Sequence, residues 1–396
     1  MKLQIQGRAL ADLVAASARA LPGRPPVPVL AGLLLTADPE GSTLTVAGTD
    51  WEISTQCTGP ADVKEPGTVL VSGRLLADIA QALPKNAELG LNVTGPRMLL
   101  TGDGARFTLP AMPVTEYPAL PSVPPPTGRV DGQQLADAVA QVAVAASTDT
   151  ALPVLTAVHV TVDLPASRLT LVATDRYRMA IRHLPMTPAD QPTVPTVHVD
   201  HKKKTTTLVL PGVLWPVRSL TAAARLTADQ DQVDVSLGDD LAGLSAPGTE
   251  FTSRLMDGDF PNWRNHLPQG ADNTVTATTE QLLEVVQRVA LVTTGGQSVR
   301  VELDAAKQLL RLFAGSGDDA QAVDTIAADI TGPAADGMQV AFNPGFLGAA
   351  LKAQHHGKVR IHLSEPHRPC LITGVTADGE VDDTYLTILM PIRLSG

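Results

Sequence analysis

The sequence predicts an α+β chain of three repeated domains, each with two helices and about eight strands, the helices gathered on one side of the sheets. Three observations carry that prediction. An amphipathic stretch opens each third: GRALADLVAASARAL from Gly7, DGQQLADAVAQVAVAAS from Asp131 and TEQLLEVVQRVALVT from Thr279. Strand-like text follows each, and then a second helix-like stretch: SGRLLADIAQAL from Ser72, LPGVLWPVRSL from Leu210 and FNPGFLGAALKA from Phe342. Finally, Thr49-Asp50 and Thr174-Asp175 both sit about forty residues after their opening helix. Repeats of this length are far longer than solenoid units, so each is a small domain with its own core.

The opening helices each carry one apolar stripe: Leu10, Leu13, Val14 and Leu21; Leu135, Val139, Val142 and Ala146; Leu282, Val286, Val289 and Ala290. The second helices repeat it with Leu76, Ile79, Ala80 and Leu83, and with Phe346, Leu347, Ala350 and Leu351. Between them TLTVAGTDWEIS, RLTLVATDRYRMAI, LLRLFAG, ELGLNV, VDVSL and VRIHL alternate as strands do. Two proline-rich passages, Pro113 to Gly128 and Phe260 to Asp272, lack backbone donors and read as linkers. They give domains at 1–124, 128–268 and 270–396.

Composition narrows the function classes. The chain has 396 residues, a net charge of −11 and 44% hydrophobic residues, with no apolar run long enough to span a membrane. MKLQIQGRAL begins in strand-like text without the apolar core of a signal peptide, so the expected compartment is the cytoplasm. Cys57 and Cys370 lie in different thirds and are expected to be free thiols. The negative charge argues against gripping nucleic acid with the whole surface, but not against basic residues gathered on one face. With aromatics at 3%, base-stacking platforms are not expected. Arg8, Arg19, Arg74, Arg218, Arg288 and Lys352 lie in or beside the six helices, while much of the acid lies in strand and loop text. If the helices face one way, that side is less acidic than the rest; the alternative is ordinary solvated helix surface.

No GxSxG, HExxH, Walker loop or DTG is present, and the Gly102-Asp103-Gly104 run is a turn signal, so no catalytic residue is assigned. His355, His356, His362, His367 and Cys370 are zinc-ligand types close in sequence, but their spacing does not make their side chains converge, and no metal or cofactor is expected. The HKKK run at 201–204 is either a DNA-touching loop or a solvated one.

ALPVLTAV from Ala151, LTLVATDRYRMAIR from Leu169, FPNWRNHLP from Phe260, the terminal YLTILMPIRLSG and, in the first third, PVLAGLLL from Pro28 together resemble the bacterial sliding clamp, the beta subunit of DNA polymerase III. The resemblance covers the whole chain in order. It implies a head-to-tail dimeric ring of six domains, with twelve helices lining a hole and sheets outside. Two heterologous seams would close it, and strand pairing there would cover exposed edges. Phe107 and Leu109 in the first domain and Leu291 in the third are the expected apolar part of that seam; ordinary domain core is the other reading.

A tether for duplex DNA needs enclosure and weak phosphate attraction rather than base readout. Arg24 matches a family position that touches DNA at the ring face, and the six helix cations are a positional set beyond it. The resemblance also implies an apolar pocket between domains two and three that docks short peptides of the polymerase alpha subunit, the clamp loader and repair proteins. Carried over by position, it uses Leu155, Thr174, Arg176, Tyr177, Arg178, Met179, Pro261, Asn265, His266, Asn343, Phe346, Pro369, Met390, Pro391, Ile392, Arg393 and Leu394. Without the resemblance, MPIRL reads as a last core strand.

His266 departs from the pattern, since the family usually has an apolar residue there. Asn265 stands where a longer basic or polar side chain is common, and Gly296 where some members have an aromatic. Neutral drift accounts for these departures. The sharper reading is a second, specialised clamp, for repair or for resistance to a small-molecule or cyclic-peptide inhibitor of the ordinary clamp.

Overall fold

The computed structural model describes residues 1–192, 212–268, 270–293, 297–315 and 320–393. The HKKK run at 201–204, Leu210, Gly296 and Leu394 lie outside the described residues. Two helices and nine strands occur in each third among the described residues. The helices are α1 (Gly7–Ser17), α2 (Gly73–Ala82), α3 (Gly132–Ala143), α4 (Val217–Leu226), α5 (Thr279–Ala290) and α6 (Pro344–Lys352). None is long and apolar enough to cross a membrane.

Each opening helix starts by the same device. The first backbone N–H groups of a helix have no partner within it. In α1, Gly7 N donates to Ala87 O at 2.8 Å and Arg8 N to Lys85 O at 2.8 Å, both acceptors lying just past α2. In α3, Gly132 N donates to Gln230 O at 3.0 Å, just past α4. A Cβ on Gly7 would lie 2.3 Å from Pro84 O and one on Gly132 2.2 Å from Thr227 O, so the approach requires glycine. In α5 the residue is Thr279; its N–H donates to Gly357 O at 3.0 Å and its hydroxyl to His356 O at 2.7 Å, past α6. The loop after one helix of a repeat therefore caps the start of the other.

By internal contacts the described chain forms two compact units: residues 1–136, 186–192 and 218–255, and residues 137–185, 212–217 and 256–393. The first holds a fourteen-stranded sheet. Within it Ile53–Pro60 of the first repeat pairs antiparallel with Thr249–Arg254 of the second. Leu10, Val14, Leu76 and Ala80 of α1 and α2 close on Leu33, Leu35, Leu44 and Val46 of the sheet, all essentially inaccessible to solvent. The second unit holds a nine-stranded and a four-stranded sheet. Here Arg178–Pro185 of the second repeat pairs with Val381–Leu389 of the third. Leu282, Val286, Leu347 and Leu351 of α5 and α6 fill the main core. Each fully buried leucine contributes about 2 kcal/mol of transfer free energy.

Two expectations are corrected. The stretch from Leu210 is not helical at Val213–Pro216, which is a strand paired with Ala157–Val160; the helix begins at Val217. Pro216 fixes the chain in extended form before it and supplies no donor, so it ends the strand and leaves the helix to start after it. TLTVAGTDWEIS and RLTLVATDRYRMAI do not alternate without a break: each is two strands separated by a tight turn at the Thr-Asp pair. Leu21 and Ala290 are only partly buried at the helix ends; the remaining stripe residues named in the opening helices are buried.

Candidate functional site

The shared Thr-Asp offset is a shared turn. Thr174 Oγ1 donates to Arg178 O at 2.7 Å and accepts from Arg176 N at 3.2 Å, while Asp175 Oδ1 accepts from Tyr177 N and Arg178 N at 3.0 and 2.9 Å. Thr49 and Asp50 make the same four bonds with Ile53 O, Trp51 N, Glu52 N and Ile53 N. Both turns force a non-glycine residue into the left-handed region, Arg176 at φ 81° and Trp51 at φ 77°. That conformation costs about 1–3 kcal/mol and persists only where surrounding bonds over-determine it. The copy in the second repeat presents Arg176 and Tyr177 outward, Tyr177 at 57% exposure.

Around this turn the second unit assembles most of the predicted residues. Asp175 holds Arg178 by an ion pair at 2.8 Å, and the Arg178 guanidinium lies 4.3 Å from the centre of the Phe346 ring. The Tyr177 and Phe346 ring centres lie 6.5 Å apart at 27° between planes, with the Arg176 guanidinium 5.8 Å from the Tyr177 ring. Phe346 is placed by the cap of α6, where Asn343 Oδ1 accepts from Phe346 N at 3.1 Å and Pro344 supplies the fixed φ of the first turn. The C-terminal segment closes the wall, since Met390 N donates to Tyr177 O at 2.8 Å and the Met390 side chain is 41% exposed. Pro369 is half-buried beside it, preceding Cys370, which pairs with Leu389. Leu155, Thr174 and Met179 are buried and act as floor, not as contact surface.

The segment Trp263–His266 is a single helical turn over the same sheet. Trp263 is 5% exposed and packs with Val172, Met179, Ile181 and Ile388, while Pro261, Asn265 and His266 stay exposed. The tail then diverges from Tyr177: Ile392 N donates to Ala341 O at 2.8 Å. Ile392 and Arg393 line a cavity of about 430 Å³ with Gln339, Ala341, Pro366 and His367. Pro391 is half-buried between the two contacts. Sequence reasoning missed Trp263 as a support and Ala341 as the tail's anchor. A lone tryptophan inside a proline-rich stretch was the available signal for the first; a backbone carbonyl leaves none. The result is an apolar wall of Phe346, Tyr177 and Met390 flanked by arginines, which suits a short peptide with apolar anchors.

Comparison with known proteins bears on this geometry. Residues 1–121, 129–262 and 264–393 match, in order, the N-terminal, central and C-terminal domain families of the DNA polymerase III beta subunit. The chain belongs to the DNA polymerase III beta subunit family. It is 39% identical to the beta sliding clamp of Streptomyces coelicolor over the full length of both chains. It is 36% identical to the beta sliding clamp homolog GriR of Streptomyces muensis over 99% of each. Among solved structures, the sliding clamp of Pseudomonas aeruginosa bound to griselimycin superposes with a TM-score of 0.87 at 25% identity, covering all of both chains.

The other positions expected of a clamp fall out unevenly. Arg8, Arg19, Arg24, Arg74, Arg218 and Lys352 are exposed. Arg74 Nη2 donates to Pro22 O at 3.3 Å and Gly23 O at 2.8 Å, so it steadies the turn that carries Arg24. Arg288 is less available, being paired with Glu284 at 3.6 Å and Asp324 at 2.9 Å. Leu109 is a correction: it is 1% exposed in the core of the first unit. Along Ala105–Met112, Phe107 and Leu109 share one parity and face that core, against which Phe107 packs in part. Leu291 is 84% exposed at the end of α5.

The histidines near the C-terminus have separate partners: His356 pairs with Asp382 at 2.8 Å, His362 with Thr373 at 3.1 Å and His367 with Glu365 at 3.2 Å. Among the described residues no metal-ligand cluster forms. Cys57 and Cys370 are free and buried, and burial pushes the Cys370 thiol up to about 12.

Proposed function

We propose that this chain is a non-catalytic sliding clamp that closes as a head-to-tail homodimer around duplex DNA, in the cytoplasm, and tethers the replicative polymerase. The carrying observation is the ordered match of three clamp domains across one chain. Exposed Arg24, Arg8, Arg19, Arg74, Arg218 and Lys352 supply the phosphate attraction, which needs no base contact to let the ring slide. The wall of Tyr177, Phe346 and Met390 takes the apolar anchors of peptides from the polymerase alpha subunit and the clamp loader. Retention on nicked circular DNA, lost when the circle is linearised, tests the function. A protein that dissociates equally from both is not acting by enclosure.

Leu291, 84% exposed at the end of α5, carries the apolar seam of the ring in this reading, where a partner would bury it. Leu291→Asp is expected to weaken dimerisation about 10- to 100-fold, read as a shift toward the 41.4 kDa chain in sedimentation. An unchanged dimer would place the seam elsewhere.

A second reading, a clamp specialised against an inhibitor, is favoured by one residue. His266 is exposed at the end of the helical turn beside the docking wall, where the family pattern has an apolar side chain. A polar group in an apolar contact costs about 1–3 kcal/mol, enough to separate ligands that differ in what they bury there. The match to the homolog GriR and to a clamp bound to griselimycin supports testing that compound. His266→Leu is expected to raise griselimycin affinity about tenfold while changing partner-peptide affinity less than twofold. Equal griselimycin affinity in both proteins leaves the housekeeping reading.

A further inference from the structure

We infer that His159 positions the docking segment Phe260–His266 from beneath, together with the Trp263 anchor. The inference rests on the docking reading above and adds to it a specificity-determining position under the site. His159 lies in the strand Ala157–Asp163 and is registered opposite Val172, which is opposite Ile181, which is opposite Leu386. Directly opposed residues in a sheet point to the same face, so these four form one row. The Phe260–Leu267 segment lies over that face, with Trp263 packed on Val172 and Ile181 and with Phe260 and Leu267 against the same cluster.

Phe260 does not simply rest on the sheet. Its ring stacks on the His159 imidazole at 4.8 Å with an angle of 4° between planes. The Nε2 edge of the ring meets Gly212 just before the neighbouring strand: a Cβ there would lie 1.8 Å from Nε2. The imidazole therefore fills the space between the start of one strand and the docking segment. Its burial has a cost, since among the described residues Nδ1 is enclosed without a hydrogen-bond partner. Burial, with the nearby Arg264 charge second, pushes the His159 pKa down to about 4, so the ring is neutral at neutral pH.

Two aromatic pegs thus fix the segment, Phe260 on His159 and Trp263 in the small core. Pro261 and Asn262 lie exposed between the pegs, and Asn265 and His266 follow the second. A flat partner at 159 sets the height of Phe260 above the sheet, and through it the position of Pro261 at the pocket edge. Ligand affinity then depends on a flat ring at 159 rather than on apolar volume alone.

The test uses the full-length protein and a fluorescein-labelled synthetic peptide copied from the clamp-contacting segment of the cognate polymerase. His159→Ala is expected to weaken peptide binding about three- to tenfold, and His159→Phe to restore it to within about twofold. His159→Leu, which fills the volume without a flat ring, should not restore it. Phe260→Ala should weaken binding similarly, and the double variant no more than either single one, since both remove one stack. Peptide affinity unchanged in His159→Ala, rescue by leucine as well as by phenylalanine, or additive losses in the double variant would each overturn the inference. Should His159→Ala fail to fold, the His159→Leu and His159→Phe pair decides it alone. A wild-type protein that does not bind the peptide strikes the docking reading itself, an outcome separate from any of these.

Discussion

Replacing Trp263 by alanine is expected to lower the stability of the second unit by about 3–5 kcal/mol, the range for deleting a buried large aromatic. Trp263 is 5% exposed and forms the centre of a small core with Val172, Met179, Ile181 and Ile388, which belong to strands from both the second and the third repeat. The Arg264 guanidinium covers its outer face at 4.4 Å. Removing the indole leaves a cavity between the sheet and the segment, which is then held mainly by the Phe260 stack on His159. The indole N–H has no hydrogen-bond partner among the described residues, so alanine also removes a buried donor, which places the loss toward the lower end of the range. Because the chain holds two units, thermal unfolding of the variant should split into two transitions, the lower one belonging to residues 137–185, 212–217 and 256–393. A single unshifted transition would mean that this core does not support the unit. Trp263→Phe should recover most of the loss.

Phe346→Ala is expected to weaken partner-peptide binding about 30- to 300-fold with little loss of fold, as for a central aromatic in an interface. The ring is only partly buried in the free protein, yet Arg178 lies over it at 4.3 Å and Tyr177 packs at 6.5 Å. Its removal takes away the apolar surface and the support that orients both neighbours. The helix beneath should persist, because the cap bond from Phe346 N to Asn343 Oδ1 is a backbone donation that alanine also makes. Fluorescence anisotropy with the peptide, alongside circular dichroism, separates the two effects. Binding within threefold of wild type would remove Phe346 from the site.

Much of the fold was legible because repetition and periodicity are local properties. Five of the six helices fall where the apolar stripes place them, and α4 was misplaced by a few residues because a strand with Val213, Leu214 and Trp215 runs directly into it. Periodicity cannot separate a short buried strand from the start of a helix. The residues proposed for docking near Thr174 and Phe346 come from the resemblance alone, since no pattern in the chain singles them out. Leu109 was misassigned because membership of a strand does not say which of its faces meets a partner.

By itself, then, the sequence determined a threefold α+β repeat, five of its six helices and its family, since each is written in neighbouring residues. Only the tertiary structure decided that the Thr49 and Thr174 turns share one set of four hydrogen bonds, and that the loop after each second helix caps the first. It alone set Trp263 into the small core and Phe260 on His159, through pairs about eighty or more residues apart. The physical reason is the same in each case. A hydrogen bond or a ring stack between distant residues leaves no period in the chain, and its partner is fixed only when strand register sets which side chains share a face.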